Sequence, residues 1–362
     1  MVTATNSFRP DYAVPPGWIL EERLEAQGVS HAEFARRCGR SAKLVSEIIA
    51  GKAPIEPETA LQFEKVLGVD ASIWLGIETD YQLHRARVAE AEKAGQELAW
   101  SKNFPVMELV KCGAINKPES GADSVNKLLA FFGVASVDAW KGRYGAANVA
   151  YRHSPTFRSS EQALATWLRL GEIAAEQQEC AVYNEKQFRG ALKQIRQLTV
   201  EPINIALRKT RLLCNETGVA LVVIKSLPKT SLCGAARWLS PTKAIIQLSL
   251  RHKSDDQFWF SLFHEAAHLL LHSKKVVFVE GTSDELSDLE AEANDWAANF
   301  LVPRHSWETF VATRPRSAAT VRQFAQTQGI APGIVVGMLQ HANVLPWTHL
   351  NGLKARYRWN DD

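Results

Sequence analysis

The sequence lacks the signatures of several protein classes. Only five of its 362 residues are cysteines, and no two of them form a C-x-x-C pair, which argues against a disulfide framework or a cysteine zinc ribbon. No apolar run reaches the roughly 18 residues that a membrane span needs, and the first residues contain no apolar core of a secretory signal. The net charge of +3 is too small to indicate nucleic-acid binding by itself. We therefore expect a cytoplasmic protein with reduced thiols and no membrane partner.

Most of the chain has helical patterning, and one short interval is rich in β-forming residues. That interval contains three strand-length runs, GVALVVI, GAARWLS and KAIIQLSL. Apolar residues recur at helical spacing before and after it. The pattern predicts a mainly α fold with a small β-sheet (α+β). We expect an N-terminal all-α domain at residues 1–92, a helical connecting region at 93–200 and a C-terminal domain at 201–362.

The N-terminal domain contains clear start and stop signals for two short helices. Ser30 with Glu33 forms a capping box, and apolar residues follow at helical spacing. Gly39 ends that helix, because glycine adopts the left-handed conformation that closes many helices. Ser41 is placed to cap the next helix. These signals predict two helices joined by a tight corner.

The stretch FWFSLFHEAAHLLLH places three polar residues of an H-E-x-x-H motif in an apolar helix. Burying imidazoles and a carboxylate is costly unless they are paired or bind a metal. His264 and His268 lie one turn apart on one face, so both imidazoles can reach one Zn²⁺. Glu265 cannot easily join them as a ligand, but it can take a proton from water and pass it to a leaving amine. The motif predicts zinc-dependent hydrolysis with Glu265 as the general base.

A second helix, SDLEAEANDWAANFL, is expected to supply the third ligand. Its apolar stripe faces the core, and Glu290 and Glu292 lie on the two borders of that stripe, so periodicity does not choose between them. His272 lies about 12 Å along the helix axis from His264, too far for one ion. We expect it either to support the ligands or face the substrate, or to cap the helix C-terminus.

These two helices resemble the ImmA/IrrE family of zinc metallo-endopeptidases. The family pattern is HExxH, followed by E-A-N/D-x-aromatic-A and a closing proline, which the segment EAEANDWAANFLVP matches. The resemblance covers roughly residues 200–345 and implies a zincin-like metallopeptidase domain. By that match Glu292 is the third zinc ligand, beside His264 and His268.

The N-terminal domain resembles the Cro/C1-type (XRE) helix–turn–helix and, within it, the HigA-like antitoxins. The segment LVSEIIAGKAPIEPETALQFEKVLGVDASIWL carries this resemblance. It implies that the second helix enters the major groove of duplex DNA. The residues expected to contact DNA are Arg36, Arg37 and Arg40 on phosphates, with Ser41, Lys43 and Ser46 on the groove side.

The charge of this domain qualifies the DNA-binding prediction. Acidic residues outnumber basic ones over residues 1–92, and basic residues predominate only between 36 and 52. Such a local patch can serve phosphate contacts, but it implies weak monomer affinity and a need for a homodimer. The alternative is a helix–turn–helix that is used for protein contacts.

Together these features predict a zinc-dependent regulatory endopeptidase that cleaves a transcriptional repressor in a stress, toxin–antitoxin or mobile-element response. The alternative is a DNA-binding regulator or antitoxin-like repressor whose zinc domain senses or binds. The presence of Glu265 favours the enzyme, since binding alone needs no base. We further expect KAIIQLSL, residues 243–250, to be an exposed sheet edge that holds an extended substrate.

Overall fold

A computed structural model describes residues 12–149, 160–228, 230, 232–273, 278–279 and 287–358. The chain divides into two compact units, one made of residues 1–98 with 121–123 and the other of residues 99–120 with 124–362. The predicted boundaries at 92 and 200 stay a prediction. Among the described helices, none has the length and apolar character that crossing a membrane requires.

The first unit is entirely helical, as predicted. An aromatic cluster forms its centre, where Phe63 lies 5.0 Å from Phe34 and 5.6 Å from Trp74 between ring centroids. All three rings are buried and pack with leucine and isoleucine side chains from the neighbouring helices. The helices of this unit are α1 (Pro16–Ala26), α2 (His31–Cys38), α3 (Ala42–Ile49), α4 (Pro57–Leu67) and α5 (Ala71–Gln96).

The rest of the chain combines helices with one small sheet, so the fold is mainly α with a minor β component (α+β), as predicted. Its helices are α6 (Leu98–Ser101), α7 (Val106–Lys111), α8 (Gly121–Phe132), α9 (Val137–Val149), α10 (Glu161–Glu176), α11 (Glu185–Gln197), α12 (Ile203–Asn215), α13 (Asp255–Leu271), α14 (Ser287–Leu301), α15 (Arg304–Ala312), α16 (Ala318–Gln328) and α17 (Pro332–His341). Its strands are β1 (Val219–Val223), β2 (Gly234–Ser240), β3 (Lys243–Leu248) and β4 (Phe278–Val279).

The strand order of the sheet is β1-β3-β2-β4. β3 pairs in parallel with β1 and antiparallel with β2, so both of its edges are hydrogen-bonded. The expectation that this strand forms an exposed edge for substrate is therefore wrong. The reason is that the chain crosses over after β1 and β2, and β3 then inserts between these two strands. Local sequence patterns do not reveal such a crossover. Among the described residues, β4 pairs with β2 at Ala235 and Ala236.

Both faces of the sheet are covered by helices. Ile246 packs into the core that contains Leu262 and Phe263 of α13. The next residue along the strand, Ile245, points to the opposite face and packs with Ala175 of α10. α10 belongs to the part of the chain for which we predicted only a helical connecting region.

A buried polar network joins α10 to its face of the sheet. Gln247 Nε2 donates to the Trp167 carbonyl at 2.6 Å, and Arg237 Nη2 donates to the Leu168 carbonyl at 2.7 Å. Gly171 permits this approach, because any Cβ there would overlap the Gln247 amide. These bonds satisfy side chains that are 0% and 5% exposed and that would otherwise be costly to bury.

The C-terminal segment is tied to the start of α13 by a buried ion pair. Lys354 Nζ lies 2.6 Å from Asp256 Oδ2 and donates to Gln340 Oε1 at 2.7 Å. Gln340 is completely buried and also donates to the carbonyls of Trp347 and His349. This cluster fixes the N-terminal end of the helix that carries the H-E-x-x-H motif.

Candidate metal centre and nucleic-acid interface

α13 carries the H-E-x-x-H motif through the middle of the second unit. Its flanks are apolar on all sides, so the helix is buried around its circumference. His264 and His268 are each 2% exposed, and Glu265 is completely buried. As predicted, the two histidines lie one turn apart on a common face.

The two imidazoles meet a carboxylate of α14. His264 Nε2 lies 3.0 Å from His268 Nε2. Glu290 places Oε2 at 3.2 Å from His264 Nε2 and Oε1 at 3.3 Å from His268 Nε2. These ligand-type atoms lie within 4.8 Å of one another and form a three-residue cluster that can hold a metal ion.

The structure brings Glu290, and not the expected Glu292, to the two histidines. Glu290 lies on the same side of α14 as Ala293 and Ala297, which are fully buried, so its side chain points toward α13. The Glu292 side chain is 57% exposed and lies against His272 instead. Periodicity had left both glutamates open, and the match to the family pattern selected Glu292, which the structure places beside His272 rather than at His264 and His268.

The electrostatics of the cluster suit metal binding. Burial lowers the pKa of His268, which favours the neutral imidazole that a metal needs. Burial alone would raise the pKa of Glu290, but its hydrogen bonds to His264 and His268 hold it at about 2. Burial therefore favours a neutral imidazole at His268, and the carboxylate of Glu290 is ionised.

This donor set fits Zn²⁺. Zinc bonds of about 2.0–2.1 Å in a tetrahedron place neighbouring ligand atoms about 3.3 Å apart. The separations between Glu290 and the two histidines match this value, and the separation between His264 and His268 is slightly shorter. Two histidines with one glutamate also leave a coordination position open, as in catalytic zinc sites.

Glu265 lies beside this cluster in a space that β2 provides. A Cβ on Gly234, the first residue of β2, would lie 2.8 Å from Cγ and 2.9 Å from Cδ of Glu265. The absence of a side chain at position 234 is therefore required for the observed position of the carboxylate. Nothing in the local sequence pattern around Gly234 indicated this role.

His272 combines the two expectations made for it. It is the C-cap residue of α13, and its backbone N–H bonds the His268 carbonyl at 3.3 Å. Its Nδ1 lies 2.9 Å from Nδ1 of His268, and its Nε2 lies 3.2 Å from Oε2 of Glu292. The side chain is only 3% exposed.

In the first unit, α2 and α3 form the predicted corner. The hydroxyl of Ser30 accepts from the Glu33 amide at 3.3 Å, and that of Ser41 accepts from the Leu44 amide at 3.1 Å. Gly39 ends α2 with φ of 65°, in the left-handed region where glycine is favoured. The N-cap roles of Ser30 and Ser41 and the helix end at Gly39 are thus confirmed, whereas the Glu33 carboxylate accepts from Arg36 and Arg37 and does not complete the expected capping box.

The basic residues expected on phosphates have acidic or polar neighbours. Arg36 and Arg37 both pair with Glu33. These hydrogen bonds lower the pKa of Glu33, and the bond from Arg37 has the larger effect. Arg40 differs, because its side chain is 26% exposed and bonds Gln62 and Glu58 of α4. Arg40 therefore connects two helices rather than projecting freely.

The groove-side residues lie on the outer face of α3. Ser41, Lys43 and Ser46 are all exposed, and the Lys43 side chain is 83% exposed. Lys43 Nζ approaches Glu47 Oε1 at 3.8 Å, a weak surface pair. The outer face of α3 is thus exposed, with one weak ion pair on it.

Comparison with known proteins assigns the α2–α3 corner and the candidate metal centre to two different families. Residues 20–74 match the helix-turn-helix family model, and residues 221–334 match the peptidase M78 model, which describes the IrrE N-terminal-like domain. The second match includes β2, β3, α13 and α14, and therefore every residue of the candidate metal centre.

Individual relatives match the N-terminal part. The uncharacterized HTH-type transcriptional regulator YddM of Escherichia coli K12 is 36% identical over 78 residues, which is 22% of this chain and 78% of that protein. Virulence-associated protein I of Dichelobacter nodosus is 35% identical over 82 residues, covering 22% and 73% respectively. The solved Pseudomonas aeruginosa antitoxin HigA with higBA promoter is 26% identical, with a TM-score of 0.23, over 24% of this chain and 95% of that one. The chain therefore belongs to the helix-turn-helix family through its N-terminal residues, and its C-terminal part contains a region that matches the model of the IrrE N-terminal-like domain.

Proposed function

We propose that this protein is a zinc-dependent regulatory endopeptidase that binds DNA and cleaves a DNA-binding repressor. The observation that carries the proposal is the convergence of His264, His268 and Glu290 next to the buried carboxylate of Glu265. A site for zinc binding alone would not need the carboxylate of Glu265, which is costly to bury.

His264, His268 and Glu290 would hold the metal, and the chain's other residues would perform the proton transfers. When bound, Zn²⁺ supplies a Lewis acid that polarises a peptide carbonyl and acidifies water. Glu265 accepts the proton of the attacking water and donates it to the nitrogen of the leaving amine, so one carboxylate serves as base and then as acid. The apolar flanks of α13 keep bulk water away, which strengthens the interactions of these charges.

DNA binding by the first unit is supported by the match to the helix-turn-helix model and by the exposed side chains of α2 and α3. Arg36, Arg37 and Lys43 are available to phosphates if they exchange their surface pairs with Glu33 and Glu47. Surface pairs are worth only about 0–1 kcal/mol, so this exchange costs little. The excess of acidic residues elsewhere in the unit implies that two copies are needed for tight binding.

The proposed substrate follows from the combination of these two parts. A DNA-binding unit in the same chain raises the local concentration of the peptidase near other proteins bound to the same operator. A peptidase site accepts an extended chain, so the cut should fall in a linker or exposed loop rather than inside a folded helical domain. A repressor bound nearby, cleaved in trans, meets both conditions.

The test is cleavage of candidate repressors by the zinc-loaded protein, followed by mass spectrometry of the fragments. The Glu265→Gln protein should keep its zinc and lose about 10²–10⁴-fold in cleavage rate. Glu308→Gln, the same change at an exposed position of α15, is the matched control and should cleave at the wild-type rate. Equal cleavage by the wild-type and Glu265→Gln proteins would reject the peptidase proposal. If both also regulated the promoter equally, the domain would be assigned to sensing or binding.

A further inference from the structure

A series of side-chain contacts begins at His268 of the candidate metal centre. It starts from the ring nitrogen that faces away from Glu290. His268 directs Nε2 toward Glu290 and Nδ1 toward His272. His272 in turn directs Nε2 toward the carboxylate of Glu292. This series of contacts joins the end of α13 to the first turns of α14. Neither His272 nor Glu292 belongs to the candidate ligand set.

With both imidazoles neutral, the contacts among His268, His272 and Glu292 permit one consistent arrangement of protons. A carboxylate only accepts, so the proton of a neutral His272 must be on Nε2, where Glu292 accepts it at 3.2 Å. Nδ1 of His272 is then an acceptor, and the Nδ1 atom of His268, 2.9 Å away, must donate. A neutral His268 with its proton on Nδ1 turns the lone pair of Nε2 toward Glu290 and His264, and in this metal-binding state Nε2 no longer donates to Glu290.

The opposite arrangement would block the metal centre. If His272 carried its proton on Nδ1, it would donate to Nδ1 of His268, and the proton of His268 would move to Nε2. That proton would then point at Glu290, 3.3 Å away, and occupy the position that a metal needs. The contact with Glu292 disfavours this arrangement, because it holds the His272 proton on Nε2.

We propose that His272 and Glu292 are positioning residues that fix the tautomer and the ring orientation of His268 for zinc binding. This inference rests on the proposed zinc function of the same site. It also accounts for Glu292, which lies in the family-like segment but does not reach the metal position. His272 is 3% exposed and Glu292 is 57% exposed, so water can replace the carboxylate far more readily than the imidazole. The loss of His272 should therefore weaken zinc binding more than the loss of Glu292.

The experiment measures zinc affinity of the full-length protein by competition with a chelator, independently of proteolysis. Removal of a group that orients a ligand typically weakens metal binding about 10–100-fold, and we expect this loss for His272→Leu. His272→Asn should bind nearly as well as wild type, since the amide oxygen of asparagine can take the place of the accepting Nδ1. Glu292→Gln keeps an oxygen that can accept from His272, so it should bind zinc more tightly than Glu292→Ala. Asp295→Ala, an equal loss of charge at an exposed position of α14, should have no effect.

A double variant separates positioning from direct ligation. Because Glu292 acts through the imidazole of His272, Glu292→Ala should cause no further loss in the His272→Asn background. The visible spectrum of the Co²⁺-substituted protein should keep its band positions in Glu292→Ala and lose them in Glu290→Ala, since only the latter removes a ligand.

Three outcomes would overturn the inference. Wild-type zinc affinity in His272→Leu would show that His268 needs no support, and equal losses in His272→Leu and His272→Asn would show that the acceptor is irrelevant. Loss of metal from Glu292→Ala in both backgrounds would make Glu292 a ligand. If His272→Leu does not fold, the zinc affinities of Glu292→Gln and Glu292→Ala are compared instead. Equal affinities in these two variants would then overturn the inference. Failure of the wild-type protein to bind zinc would instead reject the proposed function itself.

Discussion

Replacing Gly234 by alanine is the most direct test of the space in which Glu265 sits. The added Cβ would lie 2.8 Å from Cγ and 2.9 Å from Cδ of Glu265. Carbon atoms in contact prefer separations of about 3.5–4.0 Å, so the carboxyl group must move by roughly 1 Å. The overlapping atoms belong to a side chain, and the backbone of α13 can keep its position.

This displacement should affect the reaction far more than the fold. A shift of about 1 Å in a catalytic group can cost about 100-fold in rate. Overpacking of a buried site costs about 1–3 kcal/mol, and the Gly→Ala change returns about 0.4–1 kcal/mol through the unfolded state. We therefore expect about a 100-fold loss in kcat/KM with a net loss of at most about 2.6 kcal/mol in the free energy of unfolding. The zinc content should not change, because His264, His268 and Glu290 are not touched.

The assay combines peptide cleavage, metal analysis and denaturant unfolding on the same preparation. Gly190→Ala is the matched control, since a Cβ there meets no atom within 4 Å and lies in the helix α11. That variant should cleave normally and gain up to about 1 kcal/mol from helix propensity. Undiminished cleavage by Gly234→Ala would refute the reasoning. A loss of cleavage accompanied by a loss of zinc would also refute it, because the metal ligands would then depend on Gly234.

Three further predictions concern other parts of the molecule. Lys354→Met leaves Asp256 buried without its cation and should lower the free energy of unfolding by about 3–5 kcal/mol in urea; a loss below about 1 kcal/mol would contradict the importance of this pair. An Arg36→Ala, Arg37→Ala double variant should weaken binding to every duplex alike and reduce the slope of log affinity against log salt by about two, measured by fluorescence anisotropy. Ser41→Ala should reduce the hydrogen-exchange protection of the Leu44 amide by about 1 kcal/mol, and unchanged protection would show that the cap contributes nothing.

Local features of the fold followed from the sequence because they depend on neighbouring residues. The capping hydroxyls of Ser30 and Ser41 and the left-handed Gly39 appear in the structure where the sequence placed them. The run GAARWLS coincides with β2, and KAIIQLSL contains β3. The spacing of His264 and His268 was equally local, since a single helical turn sets the distance between them.

The remaining features depend on how distant segments meet. The choice between Glu290 and Glu292 depends on how α14 is rotated about its own axis relative to α13. The apolar stripe of α14 is broad, so the sequence does not fix this rotation to within about the angle of one residue. The interior position of β3 depends on a crossover from β1. The space for Glu265 depends on Gly234, which lies 31 positions earlier in the chain. None of these relations has a signature within one element.

Because α10 covers one face of the sheet, it determines how much of this protein is needed to obtain a stable fragment that contains the candidate metal centre. A fragment beginning at residue 201 would expose Ala220, Val222 and Ile245 to water, together with the unsatisfied polar groups of Arg237 and Gln247. An exposed apolar sheet face promotes association between copies, and such a fragment should aggregate during expression. A fragment that retains α10 keeps this face dry, so truncation experiments on the metal centre should begin before Glu161.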